Sequence, residues 1–202
     1  MKFNFNLDYL KDEKINDWKI ETFEIPEYYA KLRNLFEKNY LMHLEHGKFK
    51  KLTYKGNIIM SNTAMEQKTH IEAINKARGN VLVAGLGLGM YLQNIKGKKE
   101  VISITVIEKS KEVIELIGKY YKDNKKIKII NEDIFNYTSD IRFDFAFFDI
   151  WSDINNDNVK EFNKLRKKFK YIPVKIFWSE DIIKINQILQ MKDYEKIRWY
   201  KT

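Results

Sequence analysis

The segment VLVAGLGLGM, residues 81–90, constrains this chain more than any other. Val81, Leu82, Val83 and Ala84 form an apolar run of the kind buried on both faces of a parallel sheet. Gly85, Gly87 and Gly89 follow at alternate positions, where the missing β-carbon lets the backbone turn sharply and approach a ligand closely. A helix beginning after such a turn points free N–H groups at that ligand. A second apolar run, 101–107, ends in Glu108, nineteen residues beyond Gly89. Strand, glycine turn, helix and a carboxylate-tipped strand make a nucleoside-binding βαβ unit, the carboxylate accepting from ribose hydroxyls. The spacing is G-x-G-x-G rather than the dinucleotide G-x-G-x-x-G, which favours a nucleoside without a pyrophosphate.

Bulk properties set the frame. A chain of 202 residues fits one domain with a small N-terminal addition. At 44% hydrophobic and 14% aromatic residues it can fill a core. No apolar run approaches the ~18 residues of a membrane span, and the start MKFNFN is too polar for a secretory signal, so a cytoplasmic protein is expected. The absence of cysteine rules out disulfides, thiolate nucleophiles and thiolate–metal sites. A net charge of +9 admits nucleic acid as a partner, but the lysines are scattered, with only LRKKFK at 165–170 clustered.

Along the chain, Phe3, Phe5 and Leu7 alternate with polar residues as in a short strand, and Ile20, Thr22, Phe23 and Ile25 mark another extended piece. Tyr28, Leu32, Leu35, Phe36, Tyr40 and Leu44 recur at helical steps, predicting a helix over 27–46 between Pro26 and Gly47. Two apolar runs around Gly56-Asn57 read as a β-hairpin. Thr63 and Glu66 have capping-box spacing ahead of a helix carrying His70, Ala73 and Ile74. From residue 79 onward strands and helices alternate. Strands are expected at 81–84, 101–107, 127–130, 143–148 and 174–178, and helices at 90–95, 111–121, 157–169 and 180–191. A last strand is expected at 197–200. Such alternation predicts a parallel sheet with helices on both faces.

VLVAGLGLGM followed by VISITVIEKS resembles the first two motifs of class I S-adenosylmethionine-dependent methyltransferases, and within that fold the spermidine synthase branch. The likeness covers roughly residues 48 to 180. It implies an α/β fold, a Rossmann-like doubly wound and mostly parallel sheet with a trimmed C-terminus. Residues 1–78 would form an N-terminal helix and hairpin that help wall the site, and 79–202 the S-adenosylmethionine-binding domain. The cofactor would lie against the loop residues Gly85, Leu86, Gly87 and Gly89.

Three carboxylates follow three successive expected strands: Glu108, Asp133 and Asp149. In a doubly wound sheet this is where ligands bind. The resemblance assigns Glu108 to ribose and Asp133 to the adenine amino group, with Ile134 on the ring and Lys109 as a wall residue. Asp149, in FDFAFFDIW, is at the fourth motif, where the spermidine synthase aspartate helps deprotonate the attacking amine. It is the candidate catalytic residue, and it would also stand against the cofactor's cationic sulfonium. Trp151 is either an acceptor-stacking residue or a hydrophobic plug.

Departures narrow the chemistry. Asp149-Ile150-Trp151-Ser152 lacks the Pro-Pro of amino-methylating DNA enzymes, and cytosine-C5 methylation needs a cysteine this chain lacks. The spermidine synthase Asp-Glu-x-x-Tyr-His-Glu element is only shadowed by Met65-Glu66 and His70. No metal site is expected: His43 and His46 lack a third ligand, and 153–158 reads as a polar loop capping the next helix. The expectation is methyl transfer from S-adenosylmethionine to a small-molecule or macromolecular acceptor. Aminopropyl transfer from the decarboxylated cofactor is the first alternative and a non-catalytic binding module the second. No membrane partner is expected, nucleic acid is weakly supported, and a homodimer stays open.

Overall fold

Ala84, Gly85 and Asp149 mark the middle of a five-stranded sheet in which every strand runs the same way. The computed structural model describes residues 3–37 and 43–185. The N-terminal elements are β1 (Glu13–Ile15), β2 (Trp18–Ile25), α1 (Glu27–Phe36), β3 (Gly47–Tyr54) and β4 (Asn57–Ser61). They are followed by α2 (Ala64–Lys76), β5 (Gly79–Ala84), α3 (Met90–Ile95), β6 (Val101–Glu108) and α4 (Lys111–Ile117). Then come β7 (Ile127–Asn131), β8 (Phe145–Phe148), α5 (Asn158–Lys168) and β9 (Val174–Phe177), with 180–185 helical.

The parallel sheet has the order β7-β6-β5-β8-β9. The chain starts centrally at β5, steps outward to β7, then crosses back to β8. The crevice at that reversal, between the carboxyl ends of β5 and β8, is where a doubly wound sheet takes its ligand. The strands are apolar on both sides because both faces are covered. Val81, Val83, Phe145 and Phe147 pack with Ala73, Tyr91 and Leu116 on one face. Leu82, Ala84, Ala146 and Phe148 pack with Phe162 and Leu165 of α5 and with Phe169 just after it on the other. The α/β, Rossmann-like doubly wound fold read from the sequence is the observed one.

The N-terminal part is larger than a helix and hairpin. Its four strands form one antiparallel sheet in the order β1-β2-β3-β4, with Ile20 opposite Leu52 and Leu52 opposite Met60. All three side chains are buried, and they belong to the same hydrophobic core as Val81 and Val83. The β3–β4 turn centres on Lys55 (φ 50) and Gly56 (φ 82), one residue ahead of the expected Gly-Asn pair; two positive φ angles give the primed turn that matches strand twist.

Several expectations are corrected. Residues 3–10 are not a strand: Asn94 of α3 takes both backbone groups of Asn4, accepting from its N–H at 2.7 Å and donating to its carbonyl at 2.9 Å. Leu7 and Leu10 are then buried without a ladder. The helix predicted to His46 ends at Phe36, with Glu37 extended. The Asn34 side chain pairs with both the N–H and the carbonyl of Leu44, at 2.8 and 2.9 Å, so residues 43–46 return alongside α1. Tyr40 lies outside the described residues. Gly47 opens a strand instead of closing a helix. Thr63 makes no capping bond; Glu66 accepts instead from the Ser61 N–H at 3.0 Å. The helix expected at 111–121 closes as α4 plus a tight turn over Gly118–Tyr120. Phe143 precedes its strand, because the Asp144 carboxylate accepts from Asn80 N–H at 2.7 Å. The helix beyond 185 and the strand expected at 197–200 lie outside the described residues.

Candidate active site

A cavity of about 790 Å³ opens at the carboxyl ends of the parallel strands. That is ample for a nucleoside-sized ligand with room beside it. Gly85, Gly87, Glu108, Lys109, Asp133, Ile134 and Asp149 line it. These are seven of the residues the sequence singled out, brought together from four strand ends. Leu86 and Gly89 are not in its wall.

The glycine loop is held from behind. Gly85 (φ 94) sits so close to the Asp149 carbonyl that a β-carbon would lie 2.0 Å from that oxygen. Gly87 (φ 50) faces the Met60 sulfur, and Gly89 (φ 73) the Tyr121 ring. Tyr121 donates its hydroxyl to the Gly89 carbonyl at 2.8 Å and is itself paired with the Tyr9 hydroxyl at 2.9 Å. Gly89 therefore caps α3 and locks the loop into the core, where Leu88 and Met90 are fully buried. The cavity meets the loop at Gly85 and Gly87.

Glu108 ties loop to strand. One oxygen accepts from Leu86 N–H and the other from Ser110 N–H, both at 2.8 Å. A carboxylate has about four acceptor sites, so these backbone donors do not exhaust its capacity for hydroxyls. Burial pushes its acid upward in pKa, against the backbone donors that favour the ionised form. Asp133 is the opposite case. Phe135 N–H donates to it at 2.9 Å and Lys109 approaches at 3.0 Å, holding its carboxyl below the usual range. Lys109 thus serves Asp133, and Ile134 is buried beside it.

Asp149 follows β8, its N–H donating to the Ala84 carbonyl at 2.8 Å. Its Oδ2 lies 3.1 Å from Nε2 of His70, a side chain with 0% exposure on α2. Nδ1 of the same ring lies 2.8 Å from the Glu66 carbonyl oxygen. Burial opposes a charge on His70, but the bond to Asp149 and that residue's charge outweigh it, and its pKa is raised. The Glu66 carboxyl, on the cavity wall, is pushed up to about 7 by burial, opposed by the Ser61 N–H and reinforced by Asp149.

Residues of the N-terminal sheet complete the wall. Trp18, Leu52, Tyr54, Ile59 and Met60 line the cavity, with the Trp18 and Tyr54 rings 4.8 Å apart. The sequence did not single these out, although the alternation of Leu52 and Tyr54 in the hairpin was a signal that one face of it is covered. Trp178, which donates to Thr69 Oγ1 at 3.0 Å, was also missed. Trp151 is on the wall too; it meets Phe162 edge-on at 4.6 Å and donates to Glu161 at 2.6 Å. In the 153–158 loop, Asn155 accepts from the N–H groups of Asp157 and Asn158, capping α5. His43 contacts the Glu37 carbonyl at 3.1 Å.

Eight carboxylates and two lysines line this cavity, although the chain as a whole carries +9. The lining is therefore acidic on balance, with Lys109 and Lys111 its two cations.

No family model matches the sequence, and neither does any curated protein. Solved structures are similar to it in part. DhpI in complex with SAM and HEP is 22% identical, with 52% of this chain and 48% of that one covered and a TM-score of 0.40. Spermidine synthase from Thermotoga maritima is 17% identical over 69% of this chain and 47% of its own, with a TM-score of 0.44. The 23S rRNA methyltransferase ErmE is 14% identical over 55% and 46%, with a TM-score of 0.44. The chain spans about half the length of the solved structures it matches.

Proposed function

We propose that this chain binds S-adenosylmethionine and transfers its methyl group to an acceptor. The observation that carries the reading is the convergence of Gly85, Gly87, Glu108, Asp133 and Asp149 on one cavity at the sheet's reversal point. The residues present fit such a ligand. Gly85 and Gly87 leave backbone bare where a β-carbon would have no room, and Glu108 keeps acceptor capacity for ribose hydroxyls. Asp133 and Ile134 would hold the base, and an acid-lined cavity suits a cationic sulfur.

When bound, the cofactor supplies an electrophilic carbon on a good leaving group. The protein's part is mainly alignment. Asp149 would orient the acceptor and hold the proton it gives up. The N-terminal sheet, through Trp18 and Tyr54, would keep water from that side.

Aminopropyl transfer is the second reading, favoured by the carboxylates of Glu66 and Asp149 on one wall, which suit a protonated amine. Calorimetric titration with S-adenosylmethionine, its demethylated product and the decarboxylated cofactor tests both. Preference for the first two supports methyl transfer, and preference for the decarboxylated form supports aminopropyl transfer. Binding of none would remove the cofactor reading. A chain that binds the cofactor but, with every acceptor class tried, consumes it no faster than Asp149→Ala would be a binding module.

A further inference from the structure

His70 makes two contacts that fix its hydrogens. Its ring has no exposure to solvent, so neither nitrogen can turn to water. Nδ1 meets the Glu66 carbonyl oxygen at 2.8 Å, a group that only accepts. Among the described residues the hydroxyl that reaches Nδ1, Thr69 Oγ1 at 3.3 Å, already donates to that same carbonyl at 2.7 Å. Nδ1 must therefore carry a hydrogen. Nε2 meets the Asp149 carboxylate at 3.1 Å. Were Nε2 bare and the carboxylate ionised, two lone pairs would face each other out of water, at the cost of an unmade buried bond. One hydrogen sits between them in either arrangement, imidazolium with carboxylate or imidazole with carboxylic acid.

We infer that His70 is a positioning residue for Asp149, its Nε2 and the carboxylate Oδ2 sharing one hydrogen that fixes the orientation of the acid. The inference rests on the reading of this cavity as a transfer site. Oδ2 is committed to His70, and Oδ1 carries no bond from a protein group among the described residues. Asp149 thus meets an acceptor with one defined oxygen. Taking the acceptor's proton on Oδ1 leaves the pair with two protons and one positive charge. Groups facing the ring from neighbouring elements are few: Tyr91 of α3, its ring centre 6.4 Å away, and Phe147 of β8 at 5.4 Å, edge-on. Tyr91 is buried and stays neutral, so the titratable neighbours are Asp149 and Glu66.

The test needs no acceptor. The chain has three histidines, so ¹⁵N ring spectra of labelled protein are assignable by comparison with His70→Gln. Between about pH 6 and 8, where an ordinary histidine (pKa about 6.5) passes from largely charged to neutral, His70 should keep its Nδ1 hydrogen and show Nε2 sharing one. In Asp149→Asn, which keeps the side chain's size, the Nε2 signal should shift to that of an ordinary neutral ring by about pH 7. A His70 that titrates freely near 6.5, or whose ring is unmoved by Asp149→Asn, overturns the inference. Because these spectra are read without cofactor, a failure to bind S-adenosylmethionine would sink the functional proposal and leave this one standing.

Discussion

The sulfur of Met60 lies 3.3 Å from the amide nitrogen of Leu88, in the space that a β-carbon on Gly87 would enter to within 2.5 Å. A residue of the antiparallel sheet thus sets the shape of the parallel sheet's glycine loop. Gly87→Ala should cost about 1–3 kcal/mol, from the positive φ and the sulfur contact together. Met60→Ala should cost about 2 kcal/mol or more as a buried truncation. The double variant should lose less than the two single losses combined, since the contact is removed once. Denaturant unfolding of all four proteins measures the coupling, and strict additivity would mean the contact is not made.

Gly85 has no such flexible neighbour. A β-carbon there meets backbone, the Asp149 carbonyl oxygen. Gly85→Ala should therefore lose nucleoside binding at least tenfold, and no second-site truncation should restore it. Calorimetry on the folded variant checks this.

Glu108 joins the backbone N–H groups of Leu86 and Ser110, for which no other acceptor is seen among the described residues. Glu108→Gln keeps the size but presents an N–H₂ to one of them. The expected loss is about 1.5–3 kcal/mol of stability, with weaker nucleoside binding. An unchanged unfolding midpoint would show that the carboxylate does not organise the loop.

Glu66 gives a pH dependence with a definite sign. Its folded pKa of about 7 lies above the ordinary 4.5, so the native state binds more protons than the unfolded chain between those values. Stability from this group is greatest below about pH 4.5 and is lost as pH rises to about 7. At about 1.36 kcal/mol per unit the full span is worth on the order of 3–4 kcal/mol. Glu66→Gln should remove this dependence, so its stability relative to the native chain should improve over that window. Unfolding free energies at several pH values decide it.

Tyr121 bridges Tyr9 and the Gly89 carbonyl through one hydroxyl. Tyr121→Phe leaves the buried Gly89 carbonyl without its donor and removes the partner of the half-buried Tyr9 hydroxyl, and should cost about 1–3 kcal/mol, read as a lower melting temperature.

The parallel sheet was legible because each strand is a short apolar run with turn residues after it, and both faces of the sheet are covered. β8, FAFF, is buried at every position. The strand-end carboxylates were legible for the same reason, since their place follows from the strands. The helix to His46 was not, because its apolar spacing continues past Phe36 while one amide, Asn34, takes the backbone of Leu44. Tyr28, Leu32, Leu35 and Phe36 follow a helical stripe yet remain exposed, so periodicity there did not report burial. Trp18 and Tyr54 reach the cavity only because β2 pairs with β3 across the intervening helix, a pairing no local pattern encodes. His70 showed as a faint motif, and its bond to Asp149 spans 79 positions.

The contrast between an acid-lined cavity and a chain of charge +9 bears on rates of encounter. A small cation approaching from solution first meets a repelling field and feels the attraction of the cavity only within about 10 Å, the screening length in 0.1 M salt. Added salt lowers the outer barrier before it weakens the short-range attraction. Association of a cationic ligand should therefore quicken with modest salt, while its dissociation hardly changes, the reverse of the behaviour of a protein that gathers its ligand by long-range steering.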